Sequence, residues 1–168
     1  MGEKENKILL FSQFTKALKK LASMLYAEGI QYCYLDGSTS STDRIKIVEE
    51  FNMDKNKRVF LMSLKAGGTG LNLTSANKVI HFDPWWNPSI EDQATDRAHR
   101  IGQNKNVEVI KLIAKGTIEE KIVLLQEEKR NLINNVLTNE LNNSEVFNLF
   151  VNTLLIRLFT LIHGGILL

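Results

Sequence analysis

A parallel, doubly wound α/β sheet followed by a long helix is the fold class this sequence predicts. Short apolar runs of strand length alternate with stretches of helical periodicity, and the loops between them are short and polar. The first run, Lys7–Phe11 (KILLF), is continuously apolar, as in a strand covered on both faces. No internal repeat is present, which excludes a solenoid or propeller.

The elements follow in order. After KILLF, Phe14, Ala17, Leu18, Leu21 and Leu25 recur at helical spacing, and the helix ends near Gly29. Gln31–Leu35 is the second strand. Asp36–Ser41 (DGSTSS) is turn-rich, and Ser40 with Asp43 forms a capping box for a helix bearing Ile45, Val48 and Phe51. Arg58–Ser63 is the third strand. Lys65–Gly70 (KAGGTG) is a glycine-rich loop, with a short helical turn expected after it. Lys78–Phe82 is the fourth strand, and Pro84 and Pro88 then bracket Trp85 and Trp86. Ser89 and Asp92 suggest a second capping box, opening a helix that runs through QATDRAHRIGQ (Gln93–Gln103) and stops at Gly102. Val107–Ala114 is the fifth strand. Thr117 and Glu120 cap the final long helix, which continues to about Leu137.

Bulk properties exclude several classes. The chain has 168 residues, enough to bury a proper core, and a net charge of +2. Contact with nucleic acid must therefore come from a local patch. Cys33 is the single cysteine, so no internal disulfide forms, and no Cys/His cluster has metal-ligand spacing. The N-terminus lacks a secretory apolar core.

In an open parallel sheet, ligands bind beyond the C-terminal ends of the strands. Ser12, Asp36, Leu64 and Asp83 open the loops at those ends, and polar or glycine-rich residues gather there. Ser12 and Gln13 offer a hydroxyl and an amide at a helix start. Asp36–Thr39 offers hydroxyls on a turn. Gly67, Gly68 and Gly70 free the backbone of Lys65–Gly70 to converge its amides on an anion, although the Walker A pattern is absent. On the expected helix, Gln93, Arg97 and Arg100 share one face, while Ala94, Ala98 and Ile101 share the next. Guanidinium groups grip phosphate through paired N–H donors, so two of them one turn apart suit a polyanion. A solvated face with Asp96 paired to Arg100 is the plainer reading. His81 and His99 read as structural, and Asp83 as an anchor or a cap.

KAGGTGLNL (Lys65–Leu73), DPWWNP (Asp83–Pro88) and QATDRAHRIGQ, in this order and spacing, resemble motifs of Swi/Snf-type ATPases in helicase superfamily two. The resemblance covers about residues 7–137. It implies the second RecA-like (P-loop NTPase-like), three-layer lobe of a DNA-translocating ATPase, with the final helix as a bracing segment. It further implies DNA-backbone contacts from Ser12, Gln13, Ser38, Thr39, Lys65, Gly67 and Gly68. Gly70, Asn72, Gln93, Arg97 and Arg100 would face ATP, the two arginines as catalytic fingers, and Trp85 and Trp86 would couple hydrolysis to DNA movement. The loop that grips the phosphates and the acidic residues that hold Mg2+ belong to the first lobe, and this chain contains neither. The implied partners are double-stranded DNA, the first lobe in cis or as a separate chain, and a DNA-bound protein such as a polymerase or chromatin. Location would be the cytoplasm near the nucleoid in a bacterium, or the nucleus in a eukaryote. A chain of this kind reads as a fragment, a separately expressed lobe or half of a split gene. The alternative function is a non-catalytic nucleic-acid or protein-binding module that keeps the fold.

Three segments are expected: a lobe over 1–115, a bracing helix over 116–143, and an apolar tail over 144–168. The tail, which includes VFNLFVNTLLIRLFTLIHGGILL, departs from the family pattern. Translation out of frame, an amphipathic docking helix and a membrane span are the readings open to it. The last is disfavoured by Arg157 near its middle and by Gly164-Gly165.

Overall fold

The computed structural model describes residues 6–66 and 70–138. The element order is β1 (Ile8–Ser12), α1 (Thr15–Ala27), β2 (Tyr32–Leu35), α2 (Ser41–Met53), β3 (Val59–Ser63), β4 (Lys78–His81), α3 (Pro88–Thr95), β5 (Glu108–Lys111) and α4 (Ile118–Thr138). All five strands are parallel in the order β2-β3-β1-β4-β5. The chain divides at Leu124–Leu125; of the second unit, only the helical stretch 125–138 lies within the described residues. The 144–168 tail lies outside them.

Strand alternation builds two cores. Leu9, Phe11, Cys33, Leu35, Phe60 and Met62 face Phe51 of α2, Ala94 of α3, and Leu73, Ala76 and Ala98. Leu10, Tyr32, Tyr34, Val59 and Leu61 face Leu18 and Ala22 of α1. The sheet is thus the middle of three layers, as expected of a RecA-like lobe. Central β1 and β3 are nearly continuously apolar, whereas β5 begins with two exposed residues, as an edge strand does. Burial leaves the Cys33 thiol inert, raising its pKa to about 11.

Several boundaries differ from expectation. Phe14 is the N-cap of α1 and is exposed, and Ile45 on α2 is exposed while Ile47 and Val48 pack inward. The Ser40 cap forms: its hydroxyl accepts from Asp43 N at 3.2 Å and donates to Asp43 Oδ2 at 2.7 Å, without the reciprocal bond of a full box. Thr117 likewise accepts from Glu119 N at 3.2 Å, but the carboxylate that folds back is Glu119, which accepts from Ala114 N at 2.7 Å. A turn at Thr74–Ser75, not a helix, follows the glycine-rich loop. Lys7 is buried at the C-terminus of α2, where its ammonium donates to Phe51 O and to Asp54 O (2.9 Å for the latter). A cation there satisfies terminal carbonyls and opposes the helix dipole.

His81 is structural. It is buried, stacks on Phe11 at 5.8 Å, and its Nε2 lies 3.0 Å from Thr95 Oγ1. Burial depresses its pKa below the usual 6.5, with Glu91 opposing. The unfolded chain therefore takes up this proton first. Stability from this group is complete above the usual value and is lost as pH falls toward the folded one. Urea midpoints of the wild type should fall between about pH 7.5 and about pH 5.5, and those of His81→Gln should fall less. Equal falls would assign the acid sensitivity elsewhere.

Candidate functional site at the C-terminal edge of the sheet

Because every strand is parallel, the loops after β2, β3, β1 and β4 lie side by side along one edge in that order. They bring the Asp36–Thr39 turn, Lys65, Ser12–Gln13 and Asp83–Trp86 together. Gly67 and Gly68 lie outside the described residues.

Asp36 shapes its turn. Its Oδ1 accepts from Ser38 N (2.9 Å) and Ser38 Oγ (2.5 Å), and its Oδ2 from the Tyr34 hydroxyl (3.0 Å). The Ser38 bonds hold the Asp36 pKa below the usual carboxylate range, while burial and the neighbouring carboxylate push the Tyr34 phenol up to about 12. The Ser38 proton is thereby engaged. Thr39 Oγ1 accepts from Asp36 N at 3.1 Å, which leaves its own O–H to donate outward. Arg44 of α2 closes the turn from beneath, donating to Thr39 O at 3.0 Å and Asp36 O at 3.4 Å. Lys65 is exposed beside this turn's neighbouring strand. Ser12 is buried, and its hydroxyl donates to Asp83; Gln13 is half-buried.

The arginine segment departs from the expected helix. Asn87, not Ser89, caps α3 and accepts from Ser89 N at 3.4 Å, and the helix ends at Thr95. From Asp96 to Gly102 the chain runs in turns. The Arg97 carbonyl, which a longer helix would present to residue 101, instead accepts from Leu73 N at 3.0 Å. Tertiary pairing with the glycine-rich segment thus replaces the helical ladder. Gln93, Arg97 and Arg100 consequently share no helix face. Arg97 is buried, whereas Gln93 and Arg100 are exposed. Ile101 is fully exposed, and Gly102, expected to stop the helix, takes φ +103° in the turns beyond its end. Asp96–Arg100 is not among the ion pairs of the described residues.

The turns nevertheless assemble a cationic corner. Arg100 Nη1 donates to Gly70 O at 3.2 Å, and Arg97 O holds Leu73, so both arginines lie against Gly70–Leu73. Asn52 of α2 donates to Asn72 O at 2.9 Å and fixes the same segment from its other side. Burial and then the nearby Arg100 guanidinium depress the Arg97 pKa, against Asp96.

Two further carboxylates are buried: Asp83, expected as an anchor or a cap, and Glu91, which the motif reading passed over. Asp83 is 5% exposed and Glu91 is 1% exposed. Asp83 Oδ2 accepts from Gln13 N at 3.0 Å, and Glu91 Oε1 accepts from Trp85 N at 2.7 Å. Lys111 Nζ donates to Glu91 Oε2 at 2.5 Å. Burial raises the Asp83 pKa, opposed by the Ser12 and Gln13 bonds. The strand–Asp–Pro junction hinted at Asp83. No local pattern marked Glu91, since burial of one acid on a polar helix is decided by its neighbours. Trp85 is half-buried and Trp86 is 50% exposed, their rings 6.3 Å apart.

The family model for the helicase conserved C-terminal domain matches residues 1–102. This chain is a helicase C-terminal domain. It is 48% identical over 157 residues to an ATP-dependent helicase of Mycoplasma pneumoniae, covering 94% of this chain and 15% of that protein. It is 47% identical over 130 residues to a SWI/SNF-related, matrix-associated, actin-dependent regulator of chromatin from Arabidopsis thaliana, covering 76% of this chain and 15% of that one. The solved C-terminal part of the Fun30 ATPase domain superposes with a TM-score of 0.71 at 46% identity, over 73% of this chain and 40% of that one. The helicase C-terminal domain is thus of the Swi/Snf type, and it spans about 15% of the length of these curated relatives. Among the described residues, no helix is long and apolar enough to cross a membrane, and no group of three or more His, Cys, Asp or Glu could hold a metal ion.

Proposed function

We propose that this domain acts as the second lobe of an ATP-dependent translocase or remodeller of double-stranded DNA. The observation that carries the reading is the docking of Arg97 and Arg100 onto Gly70–Leu73, which gathers cationic groups beside loop backbone. Arg97, Arg100, Gly70, Asn72 and Gln93 address ATP bound by a first lobe, which also holds Mg2+. Bound ATP supplies the phosphoanhydride that is cleaved; this domain's part is to place positive charge beside it. Gln13, Thr39, Lys65 and the 67–68 amides address the DNA backbone. Ser38 and Ser12 shape that surface, since the Ser38 hydroxyl proton is engaged inside its own loop and the Ser12 proton at Asp83 of the neighbouring loop. The first lobe, in cis or as another chain, and a DNA-bound protein such as a polymerase or chromatin are its partners.

Backbone tracking makes a specific demand on Lys65. Lys65→Ala should weaken duplex binding by the 168-residue chain equally for unrelated sequences. It should also reduce the salt slope of binding by about one unit, the mark of one lost phosphate contact. Fluorescence anisotropy over a salt series measures both. An unchanged slope takes Lys65 off the DNA, and marked sequence preference overturns the backbone reading.

A further inference from the structure

We propose that Asp83 is a positioning residue that ties the tryptophan turn to Gln13, so that a displacement of either is transmitted to the other. The role of Gln13 at DNA rests on the function proposed above; the linkage itself does not.

The geometry is a relay of short-range bonds crossing the sheet edge. The Asp83 carboxylate, at the end of β4, takes the Ser12 hydroxyl on Oδ1 and the Gln13 backbone N–H on Oδ2, both at the end of β1. Gln13 Nε2 returns to Pro84 O at 3.4 Å, and Ser12 Oγ accepts from Phe14 N at 3.0 Å. The first residues of the β1–α1 loop are thereby anchored to the residues that open the Trp85–Trp86 turn. The same turn is also held by Glu91, which accepts from Trp85 N while being held by Lys111 of β5.

The ladder already joins β1 to β4 in register, Phe11 opposite His81, and Phe82 N donates to Phe11 O at 2.8 Å. Strand pairing alone therefore keeps the two ends adjacent. The buried carboxylate adds a stiff connection past the last ladder bond, beside the longer Gln13 Nε2–Pro84 O bond. Taking a carboxylate out of water is costly, and an apolar side chain of similar volume is often no less stable in such a place. Fold stability is thus a poor account of Asp83. A carboxylate with two fixed acceptors can orient two donors at once, which an apolar group cannot. Trp86 is half-exposed at the tip and can receive a push from outside.

The test follows amide resonances of the full 168-residue chain in a double-mutant design. Trp86→Ala should shift the Gln13 and Phe14 amide signals in the wild type. In Asp83→Asn the same change should move them clearly less, because two charge-assisted bonds become at most two weaker neutral ones, with Ser12 Oγ turned to accept. If Asp83→Asn does not fold, Ser12→Ala removes a single bond and should halve the transmitted shift. Equal responses to Trp86→Ala with and without Asp83 overturn the proposal. The readout contains neither DNA nor ATP, so it fails or succeeds apart from the function. If the linkage holds and duplex affinity is unchanged in Asp83→Asn, Gln13 is not a DNA contact and only that part of the functional reading falls.

Discussion

Arg100→Ala, made in this domain joined to a matching first lobe, is expected to lower ATP turnover by about 10³-fold or more, the usual range for a charge acting at the transferring phosphoryl group. Arg100 is exposed, and among the described residues its guanidinium bonds the Gly70 carbonyl at 3.2 Å. Its removal should leave the unfolding midpoint almost unchanged, within the ~0.5 kcal/mol typical of surface substitutions. Arg100→Lys should recover little, because an ammonium keeps the charge and loses the planar fork. Arg97→Ala should also be severe, with a measurable loss of stability, because Arg97 is buried. The unjoined chain should show no hydrolysis. Steady-state turnover, duplex affinity without nucleotide and urea midpoints of the variants separate the outcomes. Normal hydrolysis with lost DNA binding in Arg100→Ala would reassign the corner to DNA, and hydrolysis by the unjoined chain would end the two-lobe account.

Glu91→Ala is expected to destabilise the domain by about 3 kcal/mol, the low end for breaking a buried ion pair. Glu91 is 1% exposed and serves two donors, Trp85 N–H and the Lys111 ammonium, whose side chain is 30% exposed. Its loss leaves a charge with only partial access to water and an amide without its acceptor. Glu91→Gln keeps an acceptor for Trp85 and forfeits the charge, so it should cost less. Urea unfolding with an unchanged m-value makes the comparison. A loss below about 1 kcal/mol for Glu91→Ala would mean that Lys111 hydrates freely, and the pair would then add little.

Much of this was legible in the chain itself. Short apolar runs placed all five strands within a few residues, and in β3 burial on both faces leaves no alternation to misread. The Ser40–Asp43 cap was readable because a cap is a local hydrogen bond between residues near in sequence. The motif order pointed to the Swi/Snf-type lobe. Tertiary structure alone decided the rest. The helix expected through Arg100 stops at Thr95, because Leu73, far away in sequence, takes the Arg97 carbonyl. Periodicity reports a helix's own ladder and is blind to such a competitor. The burial of Glu91 and Asp83 is likewise a matter of which strands end beside them, set by the order β2-β3-β1-β4-β5. Spacing along the chain determined which residues could act, and long-range pairing determined which were turned inward to hold the others in place.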